Sequence, residues 1–293
     1  MPDLFRRRLL MAMALSPLLP ALQSQAAQDI DVSRIITLEW LPAELLLALG
    51  VAPMGAAEIF NYQQWVGQPA LPASTVDVGL RTEPNLELII QMKPSLILFS
   101  SGYGPAQDKI DRIAPSMGFP FSDASGKPLS MARNSLMQLA GRLGRVPQAK
   151  AHLAQYDAYV AGAKTRLAHR AKRPLLLMSI LDSRHALVFG KGSLFLEVMN
   201  ALGIDNAWQG ETNFWGSAVI GIERLATMHN VEAICFDHEN ESLMQQVTST
   251  PLWQSMPFVR ENRFQRVPQV WFYGATLSAM RFCQTLERAL GTS

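Results

Sequence analysis

Short amphipathic stretches and continuous apolar runs alternate along the chain, and one order of them occurs twice. Ala43–Val51 and Leu196–Ile204 each read as a short helix closed by a glycine at its C-cap, followed by an apolar residue re-entering the fold. A second pair follows. Leu86–Phe99 and Ile222–Phe236 each read as a helix, a brief break and an unbroken apolar strand of the kind buried on both faces of a parallel sheet. Between the halves, Leu153, Tyr156, Val160, Ala163 and Leu167 recur at three- and four-residue steps behind Pro147, which suits a first helical position. A helix from Pro147 to Arg170 would span ~36 Å. Arg173-Pro174 stops it, and Leu175–Ile180 begins the second half as a buried strand. The pattern predicts an α/β fold of two Rossmann-like lobes joined by one long rigid helix, with a nearly preformed cleft between them. Its expected divisions are residues 27–143, 144–171 and 172–293.

The segment before residue 27 sets the compartment. Arg6-Arg7-Arg8, a short apolar run from Leu9 to Leu15, and Pro17 and Pro20 make a secretory signal rather than a membrane span of ~20 residues. Ser24 and Ala26 suit cleavage after Ala26, and the adjacent arginines also fit a twin-arginine signal. Removing residues 1–26 takes away three of the 26 basic and one of the 24 acidic residues, leaving 23 of each. A mature chain with zero formal charge and no Lys/Arg run gives no footprint for nucleic acid. Cys235 sits in an apolar strand and Cys283 in a helical pattern, so both read as buried thiols, although an exported protein could also pair them.

Familiar enzyme signatures are missing. No G-x-G-x-x-G follows a candidate strand, Gly190-Lys191-Gly192-Ser193 lacks P-loop spacing, and G-x-S-x-G does not occur. The five histidines are scattered, with no zinc spacing. Asp237-His238-Glu239 is the one concentrated titratable triplet, and it reads best as a solvated strand-end turn. The aromatic residues are more telling. Trp40, Trp65, Tyr103, Trp208, Trp215, Trp271, Phe272 and Tyr273 mostly follow strands or lie in loops, and the carboxyl ends of parallel strands are where α/β folds place ligands.

Long segments then become recognisable: Thr37–Pro42, Val78–Glu87, Ser101–Pro105, Trp208–Ser217 and Val270–Met280, together with Arg6–Leu10. Over essentially its whole length the chain resembles the periplasmic ferric-hydroxamate binding family of enteric bacteria, helix-linked solute-binding proteins of the class that also carries vitamin B12 and haem. The resemblance implies a monomeric, non-enzymatic periplasmic component of an ABC importer. It would hold no cofactor and would deliver its cargo to an inner-membrane permease driven by an ATPase. It also implies that Arg81 and Tyr103 meet the iron-hydroxamate centre, where hydroxamate oxygens keep partial negative charge and accept hydrogen bonds. Iron is already six-coordinate in the siderophore, so no protein ligand to the metal is needed. Trp65, Leu187, Trp208, Trp215, Ser217, Trp271, Phe272 and Tyr273 would supply a mostly apolar wall, suited to a nearly neutral ferric trihydroxamate. An ordinary salt bridge from Arg81 to Glu83 is the structural alternative. Glu87 and Glu223, at equivalent points of the repeat, would dock to permease arginines, or else simply favour their own helices. Haem or B12 as cargo, and an enzyme acting on the siderophore, are the other classes to weigh.

Overall fold

Uncharged runs rich in Ile and Leu form the centres of two sheets. In the computed structural model, which describes residues 30–123, 125–238 and 240–291, Ile35–Thr37 (β1) pairs in parallel with Leu96–Ser100 (β4), and every residue of both strands is buried. Gly55–Ala56 (β2) and Val76–Asp77 (β3) extend the sheet on one side and Ser116–Phe119 (β5) on the other, all parallel, in the order β3-β2-β1-β4-β5. The connections reverse direction between β1 and β4, as in a doubly wound Rossmann sheet, which opens a crevice at the strands' carboxyl ends.

The second sheet differs. Leu175–Ile180 (β6), Glu232–Asp237 (β9) and Phe264–Pro268 (β10) are parallel, but His185–Phe189 (β7) runs against β6 and Ser217–Gly221 (β8) against β7. Its order is β10-β9-β6-β7-β8. The signal segment, residues 1–26, and Glu239 of the titratable triplet lie outside the described residues.

Helices in the first half are α1 (Trp40–Ala48), α2 (Ile59–Trp65), α3 (Leu86–Met92), α4 (Gln107–Asp111) and α5 (Pro128–Arg142). The long helix α6 is Val146–Leu167, 22 residues or about 33 Å. Its buried stripe is Ala149, Tyr156, Val160, Ala163 and Leu167. The second half adds α7 (Leu194–Leu202), α8 (Glu241–Thr248), α9 (Pro251–Gln254), α10 (Pro257–Arg260) and α11 (Thr276–Gly291). α11 lies along α6, where Tyr159 donates to Glu287 and Arg166 pairs with it. The helix expected at the start of the second repeat unit is instead a 3-10 turn, Ile222–Thr227. Its buried residues, Ile222 and Leu225, are three apart, and a three-residue repeat puts them on one line.

The repeat carries a reciprocal device. Glu44 of α1 is buried and reaches α11, accepting from the Ser278 amide and the Ser278 hydroxyl, both at 2.7 Å. Glu197 of α7, its counterpart in the repeat, reaches α5 and accepts from the Leu129 amide at 2.6 Å and the Ser130 hydroxyl at 3.2 Å. Each lobe thus supplies the acceptor for the exposed amides at the start of a helix in the other half. α5 needs it, since the residue before its first turn, Lys127, makes no side-chain cap. Gly274 lets the chain come close, because a Cβ there would stand 2.4 Å from Glu44 Oε2.

Removing the acceptor should be costly. Glu44→Ala is expected to lower stability by about 2–4 kcal/mol, as buried donors lose their partner. Glu44→Gln keeps one oxygen and can donate to the Ser278 hydroxyl, so its cost should be small. Burial pushes the Glu44 carboxyl up, against the hydrogen bonds from Ser278 that lower it. The folded protein therefore holds this proton at a pH where the unfolded chain has lost it. The carboxyl's contribution is complete below the ordinary glutamate value of about 4.3 and is lost as pH rises above it. Denaturant titrations across pH should show the wild type losing ground to Glu44→Gln above that value. A pH-independent difference would contradict this.

Candidate functional site

Four carboxyl ends of the first sheet converge on one cavity of about 250 Å³. Glu39 and Leu41 follow β1, Arg81 follows β3, Ser100 ends β4 with Ser101 and Tyr103 just past it, and Phe121 follows β5. The second half closes the cavity with Trp215, just before β8, and with Trp271 and Tyr273, which follow β10. One half brings every charged group and the other brings aromatic rings.

Local geometry explains how Arg81 is presented. Asp77 accepts from the Ile59 and Gly79 amides, pinning both ends of the turn that carries it. Gly104, at φ +83°, packs so closely that a Cβ there would lie 2.7 Å from the Arg81 carbonyl oxygen. The guanidinium stacks on Trp40, its central carbon 3.6 Å from the ring centre, with Tyr103 at 5.4 Å and Trp271 at 5.7 Å. Trp40 is fixed in turn, its indole donating to the Ala57 carbonyl at 3.1 Å.

Two carboxylates hold the guanidinium. Nη1 donates to Glu39 at 2.9 Å and Nε to Glu58 at 3.2 Å, while the Arg81 amide also donates to Glu58. Glu83, the partner considered from sequence, is not one of them. Glu39 accepts further from the Leu41 amide at 2.7 Å and the Ser100 hydroxyl at 2.9 Å. Burial pulls the Glu58 carboxyl upward, but hydrogen bonds from Arg81 and Asn61, with the Arg81 charge, outweigh it and hold the carboxyl below its ordinary value. Arg81 carries five N–H groups. Its two side-chain ion pairs use two of them, and among the described residues the other three have no partner.

The aromatic side is a connected stack. Tyr273 lies 5.1 Å from Trp215, 5.3 Å from both Phe121 and Trp271, and 4.4 Å from Phe272, and Trp271 meets Trp40 edge-on at 4.8 Å. Burial pushes the Tyr273 phenol up, countered by a hydrogen bond from Ser217. Among the described residues the Tyr103 hydroxyl makes no hydrogen bond.

Of the residues singled out from sequence, Arg81, Tyr103, Trp215, Trp271 and Tyr273 meet in this cavity. The others stand behind or away from it. Trp65 packs against His238 at 4.3 Å and backs Trp271 at 6.2 Å. Phe272 and Leu187 are core residues, Phe272 lying 5.0 Å from Phe189. Ser217 is buried between Asn213 and Tyr273. Trp208 fills a separate core beneath Arg224 and against Gly190. Glu87 and Glu223 are both exposed, and neither has an ion pair or hydrogen bond among the described residues. Sequence reasoning missed Glu39, Leu41, Ser100, Ser101 and Phe121. Their signal was position, since each lies in the last residues of a parallel strand or just past it.

No group of three His, Cys, Asp or Glu side chains suited to a metal ion occurs among the described residues. Asp237 pairs with Arg266, and His238 meets Gln269. Both cysteines are free and buried, with burial pushing their thiols up to about 12.

A family model described as periplasmic binding protein matches residues 35–270. The chain belongs to the periplasmic binding protein family. The iron(3+)-hydroxamate-binding protein FhuD of Escherichia coli (strain K12) is 56% identical to this periplasmic binding protein over 291 residues, covering 99% of this chain and 98% of the relative. The structure of the siderophore binding protein FhuD from Vibrio cholerae with Fe3+-Desferal bound superposes with a TM-score of 0.81 at 30% identity. That match covers 88% of this chain and 97% of the other. The triscatecholate siderophore binding protein FeuA from Bacillus subtilis, in complex with ferri-bacillibactin, shares the fold at a TM-score of 0.69 and 21% identity, covering 89% and 93%. Like its relatives, this periplasmic binding protein is a solute carrier rather than an enzyme. Among its described residues no helix is long and apolar enough to cross a membrane.

Proposed function

We propose that this protein captures iron(III)-hydroxamate siderophores in the periplasm and delivers them to the inner-membrane permease of an ABC importer powered by a cytoplasmic ATPase. The observation that carries the reading is the guanidinium of Arg81, locked on Trp40 by two carboxylates with three N–H groups to spare, facing an aromatic wall beside the Tyr103 hydroxyl. Near-full-length identity to an iron(3+)-hydroxamate-binding protein supports it.

The chemistry fits. A ferric trihydroxamate has a six-coordinate iron and near-zero charge, with six oxygens still able to accept hydrogen bonds. Arg81 and Tyr103 donate to that oxygen face, a charged donor being worth roughly 1.5–3 kcal/mol. Trp215, Trp271 and Tyr273 bury the apolar backbone of the siderophore without needing one particular shape. Recognition by the shared iron centre admits hydroxamates of different backbone, such as ferrichrome, coprogen and aerobactin types.

Residues 1–26 are the export signal, residues 27–143 and 172–293 the two lobes, and 144–171 the connecting segment of a monomeric mature protein. Glu87 and Glu223 serve as docking carboxylates, one on each lobe. A direct test is co-elution. Purified mature protein mixed with excess ferric trihydroxamate should leave a gel-filtration column carrying the siderophore's visible absorption band at one equivalent. Colourless protein would refute the function.

A further inference from the structure

Arg81 is not the only guanidinium that faces a space between the two halves. Arg281 of α11 reaches the end of α2, where its Nη1 donates to the Val66 carbonyl at 2.7 Å. Val66 is the C-cap of that helix, whose last carbonyls find no partner within it.

Arg281 lacks a counter-charge. It is half-buried, as are Arg81, Arg133 and Arg263, and each of those three pairs with a carboxylate. Among the described residues Arg281 pairs with none. Burial, and then the charge of Arg288, pull its guanidinium below its ordinary value, with Tyr62 acting the other way. A guanidinium nevertheless keeps its proton in a protein. Half-buried and unpaired, it carries a desolvation cost that a bound anion would relieve.

There is room for such an ion. Arg281 lines a pocket of about 280 Å³, to which the first half brings Gln63 and Gln64 of α2 and the second half brings Arg266 and Gln269. Asp237 lines it too, but Arg266 engages that carboxylate together with Glu241. The unbalanced charge in the lining is therefore that of Arg281. Gln269 meets His238 through its carbonyl oxygen, which leaves its amide N–H groups as donors. The pocket shares no lining residue with the siderophore cavity.

We infer that this pocket is a second binding site, one that takes a small oxyanion of the phosphate type, with Arg281 as its anchoring cation and the glutamine amides as further donors. A water occupies about 30 Å³ in the liquid, so the pocket holds such an ion with several waters. The ion ties α2 of the first half to β10 and α11 of the second, beside the cleft rather than in it.

Thermal unfolding of the siderophore-free mature protein in chloride buffer, with phosphate added at constant pH and ionic strength, is the test. The wild type should gain roughly 5 °C, saturably, by the point where phosphate stands at about a hundred times its dissociation constant. Arg281→Gln should lose that gain, and Arg281→Lys, which keeps a charge and a donor, should keep part of it. Should Arg281→Gln fail to fold, equilibrium dialysis of radiolabelled phosphate against wild type and Arg281→Lys decides. One phosphate per wild-type molecule, bound more weakly by Arg281→Lys, is the expected result. No saturable gain or uptake in the wild type, or an equal response in the variants, would mean that Arg281 only caps α2 and would overturn the inference.

Discussion

Replacing Glu87 and Glu223 together by arginine should abolish uptake of ferric hydroxamates by cells, while affinity for them in solution stays near normal. Both carboxylates are exposed, and among the described residues neither makes a hydrogen bond or ion pair. Glu87 lies in the first turn of α3, whose cap is already supplied by Asn85 at 3.0 Å. Its benefit to that helix is worth at most about 0.3–1 kcal/mol, so reversing its charge should leave the protein folded. Neither residue lines the ligand cavity. Rim charges govern encounter and orientation with a partner, and two repulsive contacts in place of two attractive ones should stop productive docking. Uptake of radiolabelled ferric siderophore by cells relying on the variant, alongside a titration of the purified protein, separates the two effects. Normal uptake would move the docking surface elsewhere.

Arg81→Ala is expected to reduce affinity for ferric trihydroxamates by about tenfold to a hundredfold, the value of a charged donor. It should also destabilise the unliganded protein. In the structure Arg81 is the shared partner of Glu39 and Glu58. Deleting it leaves two poorly solvated carboxylates facing each other, at a cost of roughly 3 kcal/mol. Adding Glu39→Gln should restore most of the lost melting temperature without restoring affinity. Stability that survives Arg81→Ala unchanged would mean the carboxylates are held by their other donors alone.

What the sequence revealed and what it concealed follow one physical division. Glycine-capped helices and unbroken apolar strands are local signals, so both lobes and the long helix α6 were legible. The mixed second sheet was not, because strand direction depends on where a connection leads. Glu44 and Glu197 stood at matching places in the repeat, yet their role is tertiary, each capping a helix that starts far away in sequence. Aromatic residues announced a buried wall without saying which rings face the cavity. Trp271 and Tyr273 line it, while Phe272 between them turns into the core. Ile222–Thr227 read as an α-helix because Ile222 and Leu225, three residues apart, share a face in an α-helix as well as in a 3-10 turn. Glu39 went unassigned because it lies 42 residues from Arg81, and only the folded sheet brings the two side chains together.

The central claim is that the cleft recognises a hydroxamate-bound ferric iron. Its most direct test is quenching of intrinsic tryptophan fluorescence, since Trp215 and Trp271 line the cavity. One siderophore should be titrated with and without its iron. The account predicts saturable quenching at one equivalent by the ferric complex, and much weaker binding of the iron-free ligand, whose flexible chain lacks the preassembled oxygen face that Arg81 and Tyr103 address. Equal affinity for the two forms, or none for the ferric one, would contradict it.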